Sequence, residues 1–448
     1  MSKAKEEVII VNKQEAKVLA QYGEEPAHQP RDNNRPNEDR PPIGVRPKTI
    51  QHSEIYRWIT ERRPQNYLVW DPRGGLRWRI LPPEQKHRTC ARRMALESGA
   101  FLTLLPEVFG DKGYQVMDSV FHASARIDYE TGKARGLIKD GAGVKEVAAF
   151  ILGVYEIMGY EPSVMAEVSD ERVRAHVFEG VASVCAYGVC RGNYRMCHNT
   201  SGYEWEIVKL INPKLRGINS KSLGMGDYAC ELTVEIDTGE WPVVEIKKRP
   251  PIVRPKLEHS EVYKAVILGK RPILPAQRAL RWRRLPIDER ATACARRWAS
   301  EAGALRTMAA EIFGEEGYKL AEDVYSSFAP VEYRWGRAKG LIKEPDQTGV
   351  KEVASYFCTL YDIIGRAPLT IAECSDERVK IQFFQELNVL TCPYWTRNGD
   401  WRMCVAEANF ERDLTKLMNP KLRARRTKGK AYGDYCCELT IERDPEFK

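Results

Sequence analysis

The chain has 448 residues, a hydrophobic fraction of 43% and a formal net charge of +8 from 70 basic and 62 acidic residues. That length exceeds what one hydrophobic core holds, and an N-terminus broken by charge every few residues contains neither a signal-peptide apolar region nor a membrane span. Twelve cysteines without an export signal read as reduced thiols in a cytoplasmic protein, and interspersed charge without zinc-finger spacing or a long basic block argues against a nucleic-acid partner.

Residues 1–50 are rich in Pro, Asn and charge and read as an extended N-terminal arm, suited to wrapping a protein partner. From residue 51 the chain repeats itself. QHSEIYRWI at 51 returns as EHSEVYKAV at 258, and LRWRILP, CARRMALESGA, FGDKGYQVMDSVF, SDERV, YRMC and NPKL all return at an offset of about 204 to 207 residues. Within the first copy, residues 51–237, an apolar stripe at Cys90, Met94, Ser98, Phe101, Leu105 and Val108 predicts a helix. A second helix is expected from near Gly113, and a third from Val144 to Met158. SVMAEVSDERVRAHVFE then alternates on both sides of a Ser-Asp-Glu turn and predicts a hairpin, and a Gly-Asp turn introduces a last strand, CELTVE.

A Pro-rich linker spans 238–257. The second copy, 258–448, repeats the stripe at Cys294, Trp298, Ala302, Leu305, Ala309 and Ile312, the helix starts at Gly317 and Val350, and the strand CELTIE. Its densest basic cluster, KLRARRTKGK at 421–430, reads as a solvated or anion-facing loop. Helices followed by an antiparallel sheet make an α+β fold, and two tandem homologous domains make a pseudo-dimer.

All seven histidines lie at or before residue 259, and the one matched pair, His52 and His259, sits beside Ser53 or Ser260 at an expected helix start where capping is the better reading, so a site preserved in both copies is not expected to use imidazole. Cysteine behaves differently. Cys185, Cys197 and Cys230 match Cys392, Cys404 and Cys437, the same Cys-x11-Cys-x32-Cys spacing written twice. Three converging thiols suit a soft metal such as zinc with one position open for water, or a thiolate nucleophile carried by Cys197, Cys230, Cys404 or Cys437. Asp227, Glu231, Asp434 and Glu438 beside the third cysteine could add a ligand or an acid/base. Core packing of small thiols is the competing explanation. Tyr187 with Tyr394, Tyr194 with Trp401, and Arg195 with Arg402 place aromatic and guanidinium groups in register, a combination that can hold a planar carboxylated ligand.

The Gly-Asp-x-x-Cys-Glu ending, a cysteine some thirty residues earlier and the helices-then-sheet order resemble the 4-vinyl-reductase-type small-molecule-binding domain. With the Cys-Pro segment of TCPYW, they also resemble the L-2-amino-thiazoline-4-carboxylic acid hydrolase family. The resemblance implies a pocket between helices and sheet for a small, often cyclic or aromatic molecule. Sensor relatives of the vinyl-reductase type hold zinc with three cysteines and a glutamate. This chain has Asn219 and Ser222, or Arg426 and Gly429, where two of those ligands would fall, so a metal here would recruit Cys185 or Cys392 instead. Three functions follow as expectations: a hydrolase-like enzyme acting on a small cyclic or carboxylated substrate, a non-catalytic small-molecule-binding or sensing module, or an accessory subunit of a larger enzyme complex.

Overall fold

A computed structural model of the chain describes residues 76–160, 163–177, 194–222, 229–239, 276–281, 284–366, 369–383, 401–429 and 436–447. The first copy opens with α1 (Pro83–Phe109), α2 (Asp111–Ala134) and α3 (Val144–Ile157). The stripe on α1 is buried from Cys90 through Leu105, and only its last member, Val108, is 55% exposed. Cys90 is thus a core residue, as is Cys294 on the equivalent helix of the second copy.

The repeated Phe-Gly-x-x-Gly-Tyr has a steric cause. Gly110 turns the chain at φ 58, and Gly113 then lets α2 start directly against the end of α1. A Cβ on Gly113 would sit 2.2 Å from the Leu105 carbonyl oxygen, and one on Gly317 would sit 2.0 Å from that of Ala309. Both neighbours are helix backbone, which cannot step aside. Gly317→Ala is therefore expected to cost about 3 kcal/mol, the upper end of overpacking. An unchanged urea midpoint would contradict the close approach.

The hairpin follows as β1 (Ser163–Val168) and β2 (Arg172–Val177), its turn closed by Ser169, whose hydroxyl accepts from the Arg172 N–H at 2.9 Å. Next comes α4 (Tyr194–Ile211), then β3 (Leu215–Lys221) and β4 (Cys230–Ile236). The four strands form one antiparallel sheet in the order β1-β2-β4-β3. The second copy repeats the plan. After a short helix α5 (Ala276–Leu280) come α6 (Ile287–Phe313), α7 (Glu315–Ala338) and α8 (Val350–Ile363). Strands β5 (Leu369–Cys374) and β6 (Arg378–Phe383), helix α9 (Trp401–Met418), and strands β7 (Leu422–Lys428) and β8 (Cys437–Arg443) complete it. Its sheet order is β5-β6-β8-β7. The fold is α+β in two tandem copies.

Helices precede each sheet as expected, and one further helix, α4 or α9, falls between the hairpin and the last two strands. One expectation needs correction. The basic cluster at 421–430 is largely a strand, β7, whose cations are spent on the protein's own carboxylates: Arg423 and Arg425 on Glu442, Arg426 on Glu411, Lys428 on Glu438.

Register sorts the strand residues into two faces. Val173, Ala175, Val177, Leu232 and Val234 share the apolar face, which α3 and α4 cover. Arg172, Arg174, His176, Glu231, Thr233 and Glu235 share the other. By residue contacts the chain forms two compact units. The described part of the first runs from His87 to Arg297, and the second holds Lys86 and its preceding described residues together with Trp298 onward. The N-terminal arm and most of the linker lie outside the described residues. No described helix is long and apolar enough to cross a membrane.

Candidate functional site

Topology brings Cys197 with Cys230, and Cys404 with Cys437, to one end of each sheet. Cys230 is the first residue of β4 and pairs with Val177 at the end of β2, on the helix-facing side. Cys197 sits in the first turns of α4, whose far end feeds β3, so α4 begins at the end where β3 finishes and β4 starts. Cys404 and Cys437 hold the same places on α9 and β8. Cys197 and Cys404 are buried, Cys437 is 2% exposed, and Cys230 is partly exposed; none of the four is in a disulfide. Cys185, Cys392, Tyr187, Tyr394, Asp227 and Asp434 lie outside the described residues, as do the side chains of Tyr194, Arg195 and Trp401. Among the described residues no three His, Cys, Asp or Glu side chains form a group able to hold a metal ion. Arg402 stacks over the Tyr318 ring at 3.6 Å and donates to Glu315 at 2.6 Å, pairing with a carboxylate of its own copy.

Behind Cys230 lies a feature that sequence reasoning missed. Glu204 projects from α4 toward the sheet, fully within the interior, and Tyr155 of α3 donates its hydroxyl to Glu204 Oε1. Burial raises the Glu204 pKa to about 7, which Tyr155, the helix backbone, Asn219 and Arg297 offset only in part. Asn219 approaches the carboxyl, but Oε2 meets no partner in hydrogen-bond geometry. Cys230 stands close enough to Tyr155 to help keep its phenol protonated, after burial and Glu204. A thiol, a phenol and a carboxyl poised near neutral thus share one wall between helices and sheet.

The second copy keeps the phenol and the carboxyl as Tyr361 and Glu411 but changes their surroundings. Arg426, at the place of Asn219, binds Glu411 through both Nε, at 2.7 Å, and Nη2. Arg366, at the place of Tyr160, binds Glu407, which replaces Thr200. The Arg366 guanidinium also lies 5.6 Å over the Phe383 ring. Against the cost of burial, Arg366, Arg426 and Arg306 hold the Glu407 pKa at about 2. Where the first copy has a protonatable acid, the second has a closed ion network.

The opposite face of each sheet carries a second shared device. Glu231, 1% exposed, accepts from Ser220 at 2.6 Å, from Arg174 at 2.9 Å and from Lys221 at 3.1 Å, with His176 Nε2 2.5 Å away. The bulge between Asn219 and Lys221 is what turns both Ser220 and Lys221 onto it. Glu438 is held likewise by Gln382, Thr427 and Lys428. Against burial, these donors hold Glu231 at a pKa of about 2, so it stays ionised and saturated. That explains the glutamate in both Cys-Glu-Leu-Thr strands as an anchor for β3 and sets it apart from acid/base work.

No known protein family, curated protein or solved structure matched the chain.

Proposed function

We propose that the protein is a hydrolase-like enzyme for a small cyclic or carboxylated molecule, with its chemistry in the first copy. Cys230 is the nucleophile and Glu204 the group that exchanges protons. One observation carries this reading: Glu204 is a buried carboxyl that titrates near 7, bonded to a phenol that stands beside a partly exposed thiol. A carboxyl kept for structure alone is expected to be ion-paired, as Glu411 is by Arg426. Glu204 occupies the same place with an amide where that cation would be.

A carboxyl with a pKa near the working pH suits both directions of proton transfer. As an acid it can protonate a ring heteroatom that leaves when the Cys230 thiolate adds to the adjacent electrophilic carbon. As a carboxylate it can then take a proton from the water that releases the enzyme thiol. A metal would require donors from outside the described residues, such as Cys185, and the thiol and carboxyl chemistry does not depend on one.

Full-length protein would be assayed against heterocyclic carboxylates, including 2-amino-thiazoline-4-carboxylate. Glu204→Gln should lose at least about 100-fold in kcat/KM, Cys230→Ser should abolish turnover, and Cys437→Ser should leave it nearly intact. Iodoacetamide labelling of the native protein, mapped by peptide mass spectrometry, should mark Cys230 and spare Cys90, Cys294 and Cys358, each 0% exposed. Full turnover by Cys230→Ser overturns the assignment.

A further inference from the structure

The arginines that bind α2 and α3 beside this site come from the second copy. Helix α5 and the start of α6 open the second copy in sequence, yet the compact unit that holds the first copy's sheet runs through Arg297. Helix α5 lies against α3 and β1. Arg284 and Arg290 both bind Glu156, which is 3% exposed and follows Tyr155 on α3. Two turns beyond Arg290 on α6, Arg297 binds Asp128 of α2 and lies 4.9 Å over the Tyr203 ring. The Tyr203 hydroxyl donates to the same Asp128 oxygen at 2.7 Å, and Tyr203 precedes Glu204 on α4. Each member of the Tyr155–Glu204 pair therefore has, as its immediate chain neighbour, a residue fastened by a second-copy arginine directly or through Asp128.

We infer that the site of the first copy is completed by the second: segment 284–297 fixes α3 and α4 around the Tyr155–Glu204 pair, and Arg297 is a positioning residue that acts on Glu204 through Asp128 and Tyr203. The exchange runs both ways in part. Lys86, at the start of α1, donates to Asp362 of α8 at 2.8 Å, the counterpart of Arg290 on Glu156. The Arg297 relay has no such twin, because Phe410 stands where Tyr203 would be and has no hydroxyl to give. Duplication in one chain thus lets the two copies differ: one houses the protonatable acid, and the other supplies arginines that hold it. A homodimer of identical copies would have to build both roles into one sequence.

The inference rests on the reading of Tyr155 and Glu204 as working groups, but its test needs no turnover. The groups facing Glu204 are Tyr155 from α3, Asp128 from α2 by way of Tyr203, Arg297 from α6, Asn219 from β3, and Cys230 from β4 beside Tyr155. Infrared titration of the full chain can follow the Glu204 carboxyl stretch, assigned by its loss in Glu204→Gln. Arg297→Ala should move the midpoint up by about one pH unit, because a cation is lost and Asp128 is left uncompensated. Asp128→Asn should move it down, and Arg297→Lys should return it close to the parent value. Arg297→Gln keeps most of the volume over Tyr203 and reads the charge alone if the alanine variant does not fold. A midpoint that stays put in the Arg297 variants, or shifts of the same sign for Arg297→Ala and Asp128→Asn, overturns the inference. A parent midpoint in the ordinary carboxylate range would instead sink the catalytic reading, while the shifts between variants would still decide on positioning.

Discussion

Arg426→Ala should destabilise the second copy by about 3–5 kcal/mol, the cost of leaving buried charge without its partner. Arg426 is 4% exposed at its side chain and touches Glu411, 1% exposed, and Glu407, 6% exposed. Neither carboxylate can turn to water once the guanidinium is gone, and its cation–π contact with Phe383 at 5.2 Å goes with it. The loss is read as a lower urea midpoint. The matching change in the first copy, Asn219→Ala, removes a neutral amide and should cost under about 1 kcal/mol. The first copy also supplies the remedy. Arg426→Asn combined with Arg366→Tyr, Glu407→Thr and Arg306→Leu installs the residues found at Asn219, Tyr160, Thr200 and Leu102, and should recover most of the lost stability. Failure of that set to rescue, with Arg426→Ala as costly as expected, would show that the two cores have diverged beyond these four positions.

The elements legible in the sequence were those whose buried face is apolar. Helix α3, predicted from Val144 to Met158, runs Val144–Ile157, and its buried positions are nearly all Val, Ala, Ile and Leu. The hairpin showed itself through alternation and a Ser-Asp-Glu turn. Helices α4 and α9 stayed hidden because their buried stripes contain the wrong letters. On α9 the interior face reads Cys404, Glu407, Phe410, Glu411, Leu414, Thr415 and Met418, and two carboxylates in that row erase the hydrophobic period. Strand β7 hid for the same reason, since its helix-facing residue Arg426 looks like surface. The cysteine spacing pointed to one end of the sheet, but the acid behind it sits in Tyr-Glu-Trp-Glu, where a buried and a partly exposed glutamate are two residues apart and indistinguishable as letters. A signal was present in the comparison of copies: Asn219 against Arg426, and Thr200 against Glu407, are charge changes at matched positions.

Those changes are coupled, which is why they say something about function. Adding Arg426 alone to the first copy's core would ionise Glu204 and pair it. Adding Glu407 alone to the second would bury a lone carboxylate at a cost of several kcal/mol. Each copy holds a self-consistent set, and the sets differ in whether the acid beside the tyrosine is paired with a cation. The outer-face carboxylates changed far less: Glu231 and Glu438 both retain a hydroxyl from β3 or β7 and a lysine beside it, Ser220 with Lys221 and Thr427 with Lys428. Duplication has conserved the anchor of the sheet while the interior of one copy has been closed with ions.

Glu204→Gln is expected to stabilise the protein at alkaline pH and not at acid pH. Burial raises the Glu204 pKa from 4.5 to about 7 in the folded state. Below the unfolded value both states hold the proton and the group contributes nothing to the pH dependence. Between the two values the unfolded chain releases its proton first, so stability falls as pH rises. Above the folded value the loss is complete, at about 3 kcal/mol for a shift of this size in a group with no solvent to screen it. Glutamine cannot ionise and escapes that loss. Relative to the parent, the variant should be no more stable at pH 4 and more stable by about 2–3 kcal/mol at pH 8, as measured by urea unfolding at each pH. Glu407 and Glu231 work in the opposite sense: their pKa values are lowered to about 2, so their stabilisation is present above the ordinary carboxylate range and is lost as pH falls through the folded values. A difference between Glu204→Gln and its parent that does not change with pH would mean that the carboxyl is already ionised in the fold, and the proton it is proposed to exchange would not be there.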